Sequence, residues 1–476
     1  MAEKIPGSYV DGRWLSPVTT RPVLNPADRS LLAEIGYGGE AEAVQAADAA
    51  DAAFASWSST TARQRADLLI EASRLLVDRA DELGLLLSRE TGKRLPEGVA
   101  EIRFAAEYFR WFAEEARRPS GEVLSNEIPG RRQAVLRRPA GVVACLTPWN
   151  FPVSIPARKL APALAAGCTT VLRVSEKAPL AAIEMFRCLA DAGIPAGVAN
   201  LVQGPAGEQT AALLSHPAVR VVSFTGSTGV GRRIMAAAAE RIVRPLLELG
   251  GDAAFIVFED ADLEAAVQGA MLGKFRNNGQ SCIAANRFFV HDHVYDEFRD
   301  MFAAAVDAMS VGDPTSDPLP DLGPLIDDDR VTQVRRFVDE AEEAGARRIT
   351  KQRAVPDTGC YLEPTILEAV PDTVALSCEE VFGPVAGLFR FRDEDEVVAR
   401  ANATAMGLAG YFYTRDLARA WRTAERLEVG IVGCNSALPG AVFGPMGGVK
   451  QSGLGREGYD VGLDEFSDLR YVNWDL

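Results

Sequence analysis

"KLAPALAAGCTTVLRV" (residues 159–174) reads as a helix through Gly167 followed by a strand, and the pattern does not stop there. "PLAAIEMFRCLADAG" (179–193) is a second helix and "ANLVQG" (199–204) a second short strand. "GEQTAALLSH" (207–216) and "VRVVSF" (219–224) repeat the alternation. Helices and strands that alternate in this way imply right-handed crossovers and a parallel sheet. Just upstream, "AVLRRPAGVVACLT" (134–147) is strand-like, with Pro139-Ala140-Gly141 as a turn. Residues 40 to 118 read as helices. A second alternating region runs from "AAFIVF" (253–258) to "GIVGCN" (430–435), with long helices at 292–310 and 328–345 and strands near "RFFV" (287–290) and "AGLFRF" (386–391). The chain closes on "DLRYVNWDL" (468–476), an apolar strand with no local partner, which predicts pairing with another sheet, a neighbouring subunit's among them.

A chain of 476 residues exceeds one ordinary core, so two or three domains are expected. The start, "MAEKIPGSYVDGRW", has neither the basic end nor the apolar run of a signal peptide. The longest apolar region, 141–172, is broken by prolines, Asn150, Arg158 and Lys159, so no membrane span is expected. A formal charge of −16 argues against nucleic acid or an anionic membrane as partner. The seven cysteines (145, 168, 188, 282, 360, 378, 434) show no C-x-x-C spacing, which argues against a disulfide framework or a zinc site and fits a reducing cytoplasm. No metal site is expected. None of His216, His291 and His293 lies in a ligand pattern, and His291-Asp292-His293 reads as a solvated turn after a strand.

Four segments carry residue types that suit chemistry. In "FRNNGQSCIAANRFFV" (275–290), Cys282 sits in a turn between a helix and a strand, an odd place for a cysteine that merely fills a core. "SFTGSTGVGRRIM" (223–235) puts Gly226, Gly229 and Gly231 between a strand and a helix, where N–H groups favour a phosphate; a plain structural turn reads equally well. Glu248 in "LELGGDAAFIVF" (247–258) stands among apolar residues, which would raise its pKa and suit it to act as a base, or is a salt-bridged helix-end glutamate. Asn150 in "TPWNFPVSIPARK" (147–159) is held between Trp149, Phe151 and two prolines; its amide could face an oxyanion, or it is a turn residue. A histidine base for Cys282 is not evident, and the preceding helix would present its electronegative end toward the sulfur.

Taken together and in order, "TPWNFP" (147–152), "FTGSTGVG" (224–231), "LELGG" (247–251), "GQSC" (279–282), "EEVFGP" (379–384) and "GGVKQSGLGREG" (447–458) resemble the aldehyde dehydrogenase superfamily over nearly the whole chain. The resemblance implies an α/β fold of two parallel-sheet αβα domains plus a small oligomerisation β-sheet. It divides the chain into a cofactor-binding domain (1–121 and 145–250), a catalytic domain (251–445) and oligomerisation strands (122–144 and 446–476). It implies that Cys282 is the nucleophile, that Asn150 and the Cys282 N–H hold the oxyanion, and that Glu248 activates water. A Glu248 in place favours hydrolysis over acyl transfer to coenzyme A.

For the cofactor, the resemblance implies NAD as the preferred partner, with NADP use left open. Glu176 of "LRVSE" (172–176) stands where NAD-preferring members carry a glutamate, but Arg173 and Lys177 put cations beside it. Trp149, Ser175, Gly226, Ser227, Leu249, Glu380 and Phe382 complete the implied cofactor set. Within the family the chain is most similar to succinate-semialdehyde dehydrogenases, which implies Phe151, Arg158, Arg276 and Met446 at the substrate, with the two arginines binding a carboxylate. It departs from that subfamily at Gly440-Ala441, where a hydroxyl residue is expected, at Met446 in place of phenylalanine, and at Ile283, which leaves no cysteine beside Cys282. Glutarate semialdehyde or a sulfonated aldehyde would satisfy the same arginines. A cofactor-independent cysteine hydrolase and a non-catalytic binding protein are the readings from other classes. A cytoplasmic homo-oligomer, dimer or tetramer, is expected.

Overall fold

The computed structural model describes residues 4–118, 121–125 and 127–475. Residues 1–3, 119–120, 126 and 476, some of which close the ranges expected for the domains, lie outside the described residues. The first alternating region forms an eight-stranded sheet. Its order is Gly453–Leu454, Arg244–Glu248, Val219–Thr225, Val142–Leu146, Thr169–Arg173, Ala199–Val202, Tyr9–Val10 and Arg13–Trp14. The five central strands, from Arg244–Glu248 to Ala199–Val202, run parallel. The strands Val142–Leu146, Thr169–Arg173 and Ala199–Val202 are buried at every position. That is why they read as continuous apolar runs: helices cover both faces. Val143, Cys145 and Leu172 pack into one core, while Ala144 and Val171 pack into the other.

The second region forms a seven-stranded sheet, with Ala253–Val257, Ala285–His291 and Val385–Phe391 at its centre, all parallel. A third sheet pairs Ser467–Asp475 antiparallel with Arg131–Pro139, which pairs in turn with Gly121–Val123. The terminal strand therefore finds a partner inside its own chain. Val142, Val143 and Ala144, and Gly453–Leu454, fall inside the ranges read as oligomerisation strands but pair in the eight-stranded sheet. A further three-stranded sheet, Lys4–Ile5, Leu31–Tyr37 and Thr19–Leu24, was not expected from the sequence. The helical region 40–118 holds four helices, Glu40–Ser58, Ala62–Asp78, Ala80–Thr91 and Leu95–Glu115. His291 is corrected as well: it ends a strand, is buried, and its Nε2 lies 2.9 Å from the Arg392 carbonyl, while His293 alone is exposed. Among the described residues no helix is long and apolar enough to cross a membrane.

Two consequences place the site. Register sets Thr225 opposite Glu248 at the C-terminal ends of adjacent parallel strands, the edge where open α/β sheets take ligands. The helix Ser154–Ala166 is buried at nearly every position, so Arg158 and Lys159 are carried into the interior rather than onto the surface.

Candidate active site

Cys282 follows the helix Leu263–Phe275, but the chain reverses before reaching it. Asn277 and Asn278 take the left-handed conformation (φ 53° and 57°), which asparagine tolerates better than most residues. Their amides fix the turn. Asn277 Nδ2 donates to the carbonyls of Asn150 (3.1 Å) and Gln280 (2.9 Å), and Asn278 Nδ2 donates to those of Gly92 and Pro324, both at 2.9 Å. The Ile326 N–H donates to Gln280 Oε1 at 3.0 Å.

Asn150 is buried and its backbone is clamped from two sides. Lys93 Nζ donates to its carbonyl at 2.9 Å, alongside the bond from Asn277. Lys93 is itself fully buried in an ion pair with Glu101, whose other oxygen accepts the N–H groups of Val153 and Ser154 at 3.0 and 3.1 Å. Asn150 Nδ2 gives one hydrogen to the Gln280 carbonyl at 3.2 Å, which leaves its second N–H.

Two cavities meet at Cys282 and Thr225. One, of about 320 Å³, is lined by Phe151, Arg158, Glu248, Arg276 and Met446 with Phe104, Ile155 and Leu438. The other, of about 240 Å³, is lined by Trp149, Asn150, Gly226, Ser227, Leu249, Glu380 and Phe382, with Arg330 added. A third cavity, of about 540 Å³, has Arg173 in its wall. Ser175 and Glu176 are not brought into that wall, although Glu176 Oε2 accepts from Arg173 Nη2 at 2.5 Å. Ser175 is buried, and its carbonyl accepts from Gln203 Nε2 at 3.4 Å.

The electrostatics are those of a dry site. Burial, with the charges of Glu380 and Glu248 adding to it, pushes the Cys282 thiol up to about 12 against the pull of Arg158. Burial and the Glu457 carboxylate hold Glu248 well above the ordinary carboxylate range, and neither of its oxygens has a hydrogen-bond partner. Glu457 is buried behind it, bonded by Lys159 Nζ at 2.5 Å; the same ammonium donates to Ser223 Oγ at 2.9 Å. Burial likewise raises Glu380 to about 7, although the Gly251 N–H donates to its Oε1 at 3.0 Å.

The two arginines differ. Arg158 is buried with its Nε unpartnered, its Nη1 2.7 Å from Met446 Sδ and 3.7 Å from Glu457 Oε2. Arg276 is exposed, with its guanidinium 5.5 Å from the centroid of the Phe151 ring. A sulfur nucleophile, a spare amide donor, an unbonded carboxylate and two cations thus converge on one space, which suits covalent chemistry on an anionic carbonyl compound. Sequence reading missed Arg330, Thr225, Lys93, Glu101 and Glu457. Thr225 lay inside "FTGSTGVG" and Glu457 inside "GLGREG", each as an unremarked part of a longer motif.

The profile of the Aldehyde dehydrogenase family matches residues 14–472. The chain belongs to that family. It is 44% identical over 467 residues to a glutarate-semialdehyde dehydrogenase of Pseudomonas putida, covering 98% of this chain and 97% of the relative. It is 43% identical to an Escherichia coli succinate-semialdehyde dehydrogenase described as using NADP(+), at 98% and 97% coverage. A crystal structure of succinate-semialdehyde dehydrogenase from Burkholderia pseudomallei superposes with a TM-score of 0.97 at 44% identity, covering 99% of this chain and 98% of that one. The two parallel sheets and the smaller third sheet are thus the aldehyde dehydrogenase-like α/β fold.

Proposed function

We propose that this chain oxidises a short aldehyde with an anionic far end, succinate semialdehyde or a close analogue, to the carboxylic acid, with NAD(P) as cofactor. The observation that carries the proposal is the position of Cys282 at the junction of two cavities, one of them walled by Arg158 and Arg276. The second cavity fits the nicotinamide end of the cofactor. A Cβ at Gly250 would lie 3.0 Å from Glu380 Oε2 and 3.3 Å from Thr228 Oγ1, so the absent side chain leaves a cradle beside a carboxylate suited to ribose hydroxyls. Trp149, Gly226, Ser227, Leu249, Glu380 and Phe382 would hold that end, and Arg173, Ser175 and Glu176 would lie toward the adenosine end. Glu176 supports a preference for NAD, because a carboxylate accepts from ribose hydroxyls and repels a 2′-phosphate.

The chemistry follows from the groups present. The Cys282 thiol gives up its proton to solvent water, and its sulfur bonds to the aldehyde carbon. The carbonyl oxygen becomes an oxyanion, which takes the spare Asn150 N–H and the Cys282 N–H; one such donor contributes about 3–4 kcal/mol. A nicotinamide held there would supply the acceptor for the hydride lost from that carbon, which would be left as a thioester on Cys282. Glu248 then takes a proton from water, whose oxygen adds to the thioester carbon, and the carbon–sulfur bond breaks to release the acid. Arg158 and Arg276 would bind the anionic end by charge-assisted hydrogen bonds. No histidine lines either cavity, which weighs against a cysteine hydrolase working through an imidazole base. A second reading, with a longer or bulkier anionic aldehyde such as glutarate semialdehyde or a sulfonated one, draws support from Gly440. It lines the substrate cavity, and a Cβ there would meet nothing within 4 Å.

The division into cofactor domain, catalytic domain and oligomerisation strands, and assembly as a cytoplasmic homo-oligomer, belong to the same proposal. The test is initial rates of NADH formation with succinate semialdehyde and with butanal. A large kcat/KM advantage for the acid supports the arginine anchor. Comparable values remove the acidic substrate and leave the oxidation of neutral aldehydes.

A further inference from the structure

The 540 Å³ cavity at the ends of the strands Val142–Leu146 and Thr169–Arg173 has the size of a small-ligand site. Leu214, Phe224 and Ile234 give it apolar walls suited to a flat base. Two guanidinium groups also line it, Arg173 and Arg233, and they stand in different conditions. Arg173 is buried and committed: its Nη2 donates to Glu176 Oε2 and, at 2.9 Å, to the Gly204 carbonyl. Its Nε is buried with no partner, so one donor is left over. Arg233, on the helix Thr228–Ala239, is exposed and takes part in no side-chain hydrogen bond or ion pair among the described residues. Its neighbour Arg232 is bonded to Gln451.

We propose that Arg233 is a phosphate ligand of this cavity, and that it lets the chain accept an adenosine bearing a 2′-phosphate, hence NADP as well as NAD. The inference rests on the reading that the cavity takes the adenosine half of the cofactor. Arg173 and Glu176 form a neutral pair, held tightly enough that Arg173 keeps the carboxyl below its ordinary range despite the burial that would raise it. A neutral pair with a carboxylate on its outer side gives a phosphate dianion little attraction. Arg233 adds one unspent positive charge, with a planar fork of donors that matches phosphate oxygens. Lys177, the other nearby cation, is tied to Asp327 across the chain.

The test is isothermal titration of the full chain with adenosine 2′,5′-bisphosphate and with 5′-AMP, comparing the native protein with Arg233→Ala and Arg233→Lys. Arg233 is exposed, so its replacement leaves the core intact. The expected result for Arg233→Ala is a loss of about tenfold in affinity for the bisphosphate, the scale of a charge-assisted contact, with 5′-AMP nearly unchanged. Arg233→Lys should recover part of the loss. Equal losses for the two ligands, or none for either, overturn the phosphate role while leaving the adenosine cavity in place. Failure of the native protein to bind either ligand overturns the adenosine reading, and this inference with it.

Discussion

In the proposed mechanism Glu248 activates the water that releases the acid, and its environment gives it a signature of its own. Its folded pKa lies above its unfolded one, because burial and the Glu457 charge both disfavour the carboxylate. A group raised in this way contributes its full stability below the ordinary carboxylate range and loses it as pH rises through the folded value. Glu248→Gln, which cannot ionise, should therefore melt about 2–4 °C higher than the native protein at pH 8 and at the same temperature near pH 4. The same change should abolish release of acid while leaving the first burst of NADH. In the native protein the release step should quicken through neutrality rather than near the ordinary value of about 4.3. Glu457→Gln removes the like charge, so it should move that limb to lower pH. An unmoved limb in single-turnover measurements would sink the coupling. At this scale Cys282, Asn150 and Glu248 were legible in the sequence because a reactive side chain inside a short motif announces itself. Thr225 and Glu457 lay inside quoted motifs (224–231 and 447–458) without standing out there, and Arg330 lay in no motif, because each joins the site through contacts with distant segments.

Elements were legible where they carried a period. The alternation from Lys159 to Phe224 and the buried, patternless strands gave the parallel sheet, whereas Lys4–Ile5 and Tyr9–Val10 are two-residue strands too short to show one. The turn after the Leu263–Phe275 helix was legible as a turn, but not as the clamp that joins it to Asn150. That clamp yields a prediction. Lys93 and Glu101 tie the helix Leu95–Glu115 to the Asn150 carbonyl and to the start of the helix Ser154–Ala166. Lys93→Met alone leaves the buried Glu101 carboxylate without its counter-charge, at a cost of about 3–5 kcal/mol. Lys93→Met with Glu101→Gln should restore most of the stability yet still lower kcat about tenfold, with KM changed less than about threefold, because Asn150 is loosened rather than the substrate cavity. Steady-state kinetics and melting of the two variants separate the outcomes. A native kcat in the stable double variant would mean that the pair serves the fold alone.

At the scale of the whole molecule, the third sheet has more surface than one chain can use. The strand Ser467–Asp475 has no buried position: Leu469, Tyr471 and Trp474 stand exposed, as do Leu136 on its partner and Val123 on the next strand. Leu469 and Tyr471 are two residues apart and so share one face, while Trp474 lies on the other. A sheet with apolar residues exposed on both faces and an unpaired edge at Ser467–Asp475 is the surface expected of a subunit contact. The apolar terminal strand was legible from its residues, whereas its grouping with 122–144 came only through the family resemblance, since Tyr471 and Gln133 meet across 338 residues. A second copy is the economical cover, because an isologous contact buries the same patch twice. Leu469→Glu with Tyr471→Glu should therefore lower the solution mass from two or four chains to one, measured by light scattering after size exclusion. The ion pair of Arg131 with Asp475 and the ladder between these strands lie within one chain, so the monomer should keep its fold and its cofactor binding. An assembly unchanged by both glutamates would assign the contact to another surface and leave this sheet a solvent-facing flap.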